Sequence, residues 1–307
     1  MRQYLLNENN PVISVAHLCK SFGPTVAVDD ISFELQTGET FGLLGPNGAG
    51  KTTTINMMVG LLPPDSGEVR VNGDHNPTQA ATRRQLGNAP QKLSLYEGLT
   101  AEENLRFFGK TFGLSGKRLK ERVAWALEFV ELTDRRNDRV KAYSGGMARR
   151  LNLACAMVHD PKILLLDEPT VGVDPQSRNA IFESIEKLMA EGRTIIYTTH
   201  YMEEAQRLCD RVAIMDHGRI LDIDSVPQLI ARHGGMSVIE AELTRTPDDR
   251  SRLPGQLDGT TLRIETDKPL EMVAELGRSG FEFTRMNIVK ADLETVFLNL
   301  TGRRLRD

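Results

Sequence analysis

The spacing of apolar positions changes several times along the chain. Residues 12–38 alternate, with Ile13, Val15 and Leu18 on one side and Ile31, Phe33 and Leu35 as a second period-two set. Two antiparallel strands broken at Gly23-Pro24 are expected. The continuous run Phe41-Gly42-Leu43-Leu44 reads as a strand, and Thr54-Ile55-Asn56-Met57-Met58-Val59 as a helix. Residues 60–67 form a loop, residues 68–71 a strand into the Asn72-Gly73 turn, and a short strand region from near Leu86 ends at Ala89-Pro90-Gln91. From Thr100 to about Leu132 the period becomes helical. Thr100-Ala101-Glu102-Glu103 has the form of a capping box, followed by Leu105, Phe108 and Phe112. A second helix, about 117–132, carries Val123, Leu127 and Val130 on one face, and the 134–139 charge run reads as solvated.

The second half begins with Ser144-Gly145-Gly146, a serine N-cap and glycine turn before a long apolar helix reaching Val158. It is also a potential anion-binding helix N-terminus. Ile163-Leu164-Leu165-Leu166 is apolar without interruption, as in a strand buried on both faces of a parallel sheet. A helix over 176–190 and a second buried strand, 194–199, follow, the strand ending at His200. A helix at 202–209, strands near 212–215 and 219–221, and a short helix at 226–230 close the first domain. Arg232-His233-Gly234-Gly235 looks like a boundary, which divides the chain into 1–233 and 234–307. Beyond it, strands at 237–243, 261–266 and 281–289 with helices at 269–278 and 293–300 make a small α+β unit. No internal repeat relates the halves.

One stretch carries a specific chemistry. Gly45-Pro46-Asn47-Gly48-Ala49-Gly50-Lys51-Thr52-Thr53 satisfies G-x-x-x-x-G-K-[ST] between a strand and a helix. Glycines let backbone N–H groups curl toward a polyphosphate, and the helix N-terminus offers its dipole to the same anion. Lys51 is placed to reach the β- and γ-phosphates, and the Thr52 hydroxyl to ligate Mg²⁺. Asp167 and Glu168 stand at the C-terminal end of the apolar 163–166 strand, where open α/β sheets place their ligands. Asp167 with Thr52 completes a Mg²⁺ site, and Glu168 is placed to polarise a water toward the γ-phosphate. His200 ends a neighbouring core strand and fits a phosphate or water contact. Gln91, an uncharged amide at a strand end, suits a metal or a water; Phe22 fits either a base-stacking role or a hydrophobic turn anchor.

Bulk composition narrows the partners. The 307 residues are 40% hydrophobic and 26% charged with a net charge of −4, so no basic footprint argues for nucleic acid. No apolar run approaches bilayer-spanning length, and Met1-Arg2-Gln3-Tyr4 lacks a signal-peptide pattern. The three cysteines, Cys19, Cys155 and Cys209, form no C-x-x-C pair and are expected to be buried, in keeping with a reducing cytoplasm.

Together these residues resemble the nucleotide-binding subunit of an ABC transporter over roughly 12–232. Gly45 to Thr53 is similar to the family's Walker A loop, Gln91 to its Q-loop and Ser144-Gly145-Gly146 to its signature motif. Residues 163–168 resemble Walker B with its catalytic glutamate, residues 172–174 the D-loop, and His200 the switch histidine. Phe22 falls at the family's base-stacking aromatic. Tyr143 and Met147 replace the commoner Leu and Gln around the signature, and Val173 the commoner Leu of the D-loop. The resemblance implies a P-loop NTPase fold: a RecA-like parallel-sheet core, an antiparallel β subdomain and a helical subdomain at about 96–158. A small C-terminal α+β domain follows.

It also implies an ATPase that uses ATP and Mg²⁺ and dimerises head to tail. The Ser-Gly-Gly of one subunit then meets the γ-phosphate bound to the other, in a homodimer or with a paralogue. A separate integral-membrane permease would receive the stroke through the Gln91 region and the helices of 102–132, placing the chain peripherally on the cytoplasmic face of the inner membrane. The tail Asp292-Leu293-Glu294-Thr295-Val296-Phe297-Leu298-Asn299-Leu300-Thr301-Gly302 resembles the ABC-2-type exporter subfamily of drug-resistance and nodulation-factor systems, whose cargo is drug-like, lipid or saccharide. Two alternatives are an importer ATPase and a soluble ABC ATPase acting on ribosomes or DNA. The latter usually fuses two cassettes or inserts a coiled coil, and neither appears here. A GTPase switch would need N-K-x-D, which is absent.

Overall fold

A computed structural model of the chain describes residues 11–73, 75–246, 253–278, 280–289 and 291–303. The alternating N-terminal stretch forms β1 (Ile13–Phe22) and β2 (Thr25–Leu35), paired antiparallel through the expected turn. β3 (Thr40–Leu44) enters the phosphate loop, and α1 (Lys51–Met58) leaves it. β4 (Ser66–Val71) returns to pair with β1, giving a three-stranded antiparallel sheet in the order β2-β1-β4. A short helix α2 (Ala80–Arg83) precedes β5 (Leu86–Ala89).

Three helices come next: α3 (Ala101–Thr111), α4 (Gly116–Phe129) and α5 (Gly145–Met157). The Thr100–Glu103 capping box forms in both directions, satisfying two backbone donors that a helix start leaves free. Helix α4 stops earlier than its apolar pattern suggests, because Glu131 adopts a left-handed backbone with φ of 56°. Leu105, Leu119, Val123, Leu127, Leu151 and Val158 form the core that joins these helices. The 134–139 run is largely solvated as expected, and Arg136, its side chain still 41% exposed, pairs with Glu102 at 2.6 Å.

The remaining elements of the first unit are β6 (Ile163–Asp167), α6 (Pro175–Ala190), β7 (Thr194–Thr199), α7 (Met202–Leu208), β8 (Arg211–Asp216) and β9 (Arg219–Asp224). With β3 and β5 the strands make a six-stranded sheet in the order β5-β6-β7-β3-β8-β9, parallel except for the β8–β9 pair. The apolar run of β6 has a direct physical cause. Ile163 and Leu165 pack toward α1 and the antiparallel sheet, while Leu164 and Leu166 pack toward α6 and the end of α5. Both faces are buried, so no position on the strand tolerates a polar side chain until Asp167.

The chain divides into two compact units between Ser225 and Val226. Sequence pattern puts the boundary after His233, but helix α8 (Val226–His233) goes with the second unit, where it packs on the terminal helix and the His233 carbonyl accepts Asn299 Nδ2 at 2.7 Å. The second unit continues with β10 (Ser237–Leu243), β11 (Gln256–Asp258), β12 (Thr261–Thr266), α9 (Pro269–Arg278), β13 (Phe283–Val289) and α10 (Leu293–Thr301). Its antiparallel sheet has the order β11-β12-β10-β13 around Ile239, Ala241, Leu262, Ile264 and Leu276. Of the cysteines, Cys155 is buried as expected, whereas Cys19 and Cys209 are only half-buried. Cys19 sits at a register shift of β1, where its sulfur accepts the Asp30 N–H at 3.3 Å.

Candidate functional site

The site lies where β3, β6 and β7 end together on the C-terminal side of the parallel sheet. The phosphate loop is wedged tightly there, and its glycines are needed for space. A Cβ on Gly45 would run into the backbone carbonyl of Met215, and one on Gly50, at φ of 102°, into that of Ala27. The Gly218 N–H donates to the Ala49 carbonyl at 3.1 Å, tying the loop to the β8–β9 turn. The loop conformation is therefore held from β2 and β8 before any ligand is considered.

Lys51 is buried and folded over its own loop. Its ammonium donates to the carbonyls of Gly45 (2.7 Å) and Pro46 (3.0 Å) and pairs with Glu168 Oε1 at 3.0 Å. Glu168 is 3% exposed and collects further partners: Gln91 Nε2 donates to its Oε2 at 2.9 Å, and His200 Nδ1 lies 3.2 Å from its Oε1. Burial pushes the Glu168 carboxyl up, but the Lys51 charge and hydrogen bond, with the nearby His200 ring, outweigh it, so its pKa is lowered. Its neighbour Asp167 shifts the other way. Burial dominates there and raises the pKa against the hydroxyls of Thr198 (2.6 Å to Oδ1) and Thr52. Adjacent carboxylates thus differ in proton affinity because only one of them has a cation in contact.

Glu168 also has a left-handed backbone, φ of 46°, which costs energy in a non-glycine residue and needs support from its surroundings. Part of that support is Thr198, whose Oγ1 accepts the Glu168 N–H at 3.0 Å. The Gln91 segment is held from α5: Arg149 Nη1 donates to the Gln91 carbonyl, Asn152 Nδ2 donates to the Pro90 carbonyl, and Asn152 Oδ1 accepts the Ser94 N–H.

Lys51, Thr52, Gln91, Asp167, Glu168 and His200 are thereby brought into one cluster. The other expected residues lie elsewhere on the same unit. Phe22 stands at the end of β1, 51% exposed, with the Lys20 ammonium 5.8 Å from its ring centre. Ser144 caps α5 by accepting the Met147 N–H at 3.2 Å. Gly145 and Gly146 pack on the 172–177 turn, and a Cβ on Gly146 would collide with Ser177. The departures around this motif have structural roles. The Tyr143 hydroxyl donates to the Arg135 carbonyl at 2.8 Å, and Met147 packs on the helical core. Sequence reasoning missed Thr198, Arg149, Asn152 and Glu204. Only Thr198 carried a signal, as one of the polar residues that end an apolar strand before His200.

A family model described as "ABC transporter" matches residues 28–171. The linearmycin resistance ATP-binding protein LnrL of Bacillus subtilis is 41% identical over 96% of this chain and 100% of its own length. Nod factor export ATP-binding protein I of Ralstonia nicotianae is 41% identical over 97% of this chain and 96% of its own. Among solved structures, an ATP-binding subunit of an ABC transporter superposes with a TM-score of 0.66 at 31% identity, over 73% of this chain and 93% of that one. A dimeric ATP-binding cassette in a post-hydrolysis state with ADP and Pi superposes with a TM-score of 0.63 at 25% identity, over 69% and 98%. With the phosphate loop, the paired carboxylates and the terminal histidine gathered at the C-terminal end of the parallel strands, these likenesses show that the chain belongs to the ATP-binding subunits of ABC transporters, a family of ATPases.

Proposed function

We propose that the chain hydrolyses ATP to power an ABC-2-type exporter whose membrane-spanning permease is a separate polypeptide. The observation that carries this reading is the convergence of Lys51, Gln91, Glu168 and His200, with Thr52 and Asp167 beside them, at the end of the phosphate-loop strand. The Gly45–Thr53 backbone and Lys51 bind the phosphates, and Phe22 stacks on the base. Glu168 takes the proton of the attacking water, with His200 and Gln91 fixing its carboxylate. When Lys51 carries phosphate charge in place of Glu168, the carboxylate loses the largest of the contacts that lower its pKa, so burial counts for more in setting its proton affinity.

The donor set fits Mg²⁺. Asp167 is 2% exposed with its pKa raised, a condition that a cation beside it relieves, and Thr52 adds a hard hydroxyl oxygen. Thr52, Asp167 and Gln91 would hold the ion, which would neutralise phosphate charge as the transferred group departs.

Ser144, Gly145 and Gly146 serve a second copy of the chain, or a paralogue, by meeting the nucleotide held there. The post-hydrolysis cassette that superposes on this chain is a dimer, which supports this arrangement. A groove of about 550 Å³, lined by Leu61, Phe108 and Phe112 among others, receives a cytoplasmic segment of the permease. Among the described residues no helix is long and apolar enough to cross a membrane. Attachment through the permease would hold the chain peripherally at the cytoplasmic face of the inner membrane. Relatives named for linearmycin resistance and Nod factor export favour export of a drug-like, lipid or saccharide compound. The test is phosphate release from ATP by the purified chain with and without Mg²⁺, alongside Lys51→Ala. Mg²⁺-dependent release that is lost in the variant supports the reading. Release that needs neither Mg²⁺ nor Lys51 overturns it.

A further inference from the structure

We propose that Glu204, on the first turn of α7, is a positioning residue that sets Glu168 and His200 in register. This rests on the assignment of those two residues to hydrolysis. Glu204 is 3% exposed, and its carboxylate accepts three hydroxyl hydrogen bonds from two different segments. Oε1 takes Thr170 Oγ1 at 2.7 Å; Oε2 takes Tyr197 OH at 2.9 Å and Thr199 Oγ1 at 2.7 Å. Thr170 lies two residues after Glu168, and Thr199 immediately precedes His200. One buried carboxylate therefore clasps the loop that leaves the first functional residue and the strand end that carries the second.

The clasp continues beyond these bonds. Thr199 Oγ1 also accepts the Tyr201 N–H at 2.9 Å, which fixes the turn at His200. The Tyr201 ring leans on the His200 ring with centres 4.2 Å apart and carries the Arg178 guanidinium 4.9 Å from its own centre. Arg178 Nε stands 3.8 Å from Glu204 Oε1, so α6 joins the cluster. The three hydroxyl donors offset the cost of burying so polar a side chain, so the helix, the loop and the strand end are held to one another through it. Glu168 has a strained backbone that its surroundings must hold. A structural role alone would hold the helix; here the bonds end on the residues flanking the reacting pair.

The test uses Glu204→Gln, Thr170→Val and Thr199→Val in the full chain. Gln keeps the shape but presents an amide N–H₂ to one of the hydroxyl flanks, reversing the polarity of that bond. Each Val deletes one hydroxyl at constant volume. ATP turnover, KM for ATP and the melting temperature are measured together, with turnover read well below melting. The expected result for Glu204→Gln is a kcat lower by ~10-fold or more, since small misplacements of reacting groups cost up to about 100-fold. KM for ATP stays within about twofold, the signature of an interaction realised in the transition state. Each Val variant shows part of the same loss, which keeps the test alive if Glu204→Gln does not fold. A lower melting temperature with wild-type kcat in the Gln variant, or in both Val variants, overturns the proposal. Glu168→Gln run alongside separates the two levels: wild-type turnover there removes the assignment of the reacting pair itself, whereas a dead Glu168→Gln beside a fully active Glu204→Gln removes only Glu204.

Discussion

Replacing His159 with Phe should change how stability depends on pH. His159 lies at the end of α5, 8% exposed, stacked on Phe112 with ring centres 3.7 Å apart and bonded through Nε2 to the Leu86 carbonyl at 3.0 Å. Burial pushes its pKa from 6.5 down to about 4; nearby Arg122 adds to the shift, while the Leu86 bond and Asp160 oppose it. Between those values the unfolded chain takes up a proton that the native imidazole refuses. Stability from this group is therefore complete above pH 6.5, falls as pH drops, and stops falling near pH 4. At about 1.4 kcal/mol per pH unit, the window from 6.5 to about 4 is worth at most about 3.5 kcal/mol. Phe keeps the stack but leaves the Leu86 carbonyl without its donor, at a cost of about 1 kcal/mol at every pH. The variant should thus be less stable than wild type at pH 7.5 and more stable at pH 4.5. The chain's one tryptophan, Trp125, belongs to the same helical core, so its fluorescence in urea titrations reports the relevant unit. Parallel stability curves for the two proteins across this range would refute the reasoning.

Glu168→Gln should bind ATP with near-normal affinity, because the Lys51 contacts to Gly45 and Pro46 remain, yet lose about 100- to 10,000-fold in turnover with its proton acceptor. Phosphate release at saturating ATP, with binding measured separately, checks this; turnover within tenfold of wild type would mean the base lies elsewhere. Gly146→Ala should destabilise the chain by about 1–3 kcal/mol through overpacking against Ser177. Loss of the Asp174 cap on α6, which Ser177 completes at 2.7 Å, would add about 1 kcal/mol. Ser177→Gly in the same chain should recover most of the overpacking loss in a melting experiment, whereas no recovery would place the strain elsewhere.

Legibility in the sequence follows the range of the interactions. The β6 run, the phosphate loop and the Thr100 capping box are local patterns, each dictated by two-sided burial, by backbone crowding or by a helix end, and each appears where the residues place it. Elements of three or four residues, α2 and β11, carry too little periodicity to stand out. Helix α8 is readable as a helix but not as part of the second unit, since its packing on α10 joins residues some 66 positions apart. The same limit hides the supports of the site. Arg149 and Asn152 act on a loop about 60 residues upstream, at separations of 58 and 62. Glu204 differs from its neighbour Glu203 only in which way the helix turns it: one is buried against Tyr197 and the other exposed. Residue types name the chemistry, while tertiary contacts decide which carboxylates have partners and hence which way their proton affinities move.

The decisive measurement is affinity capture of tagged Glu168→Gln protein, held with ATP and Mg²⁺, from detergent-solubilised cells, read by mass spectrometry. A polytopic membrane protein recovered in stoichiometric yield is the predicted result, and it would also supply the permease whose cavity selects the cargo. Ribosomal proteins or DNA in its place, with no membrane protein, would contradict the exporter reading.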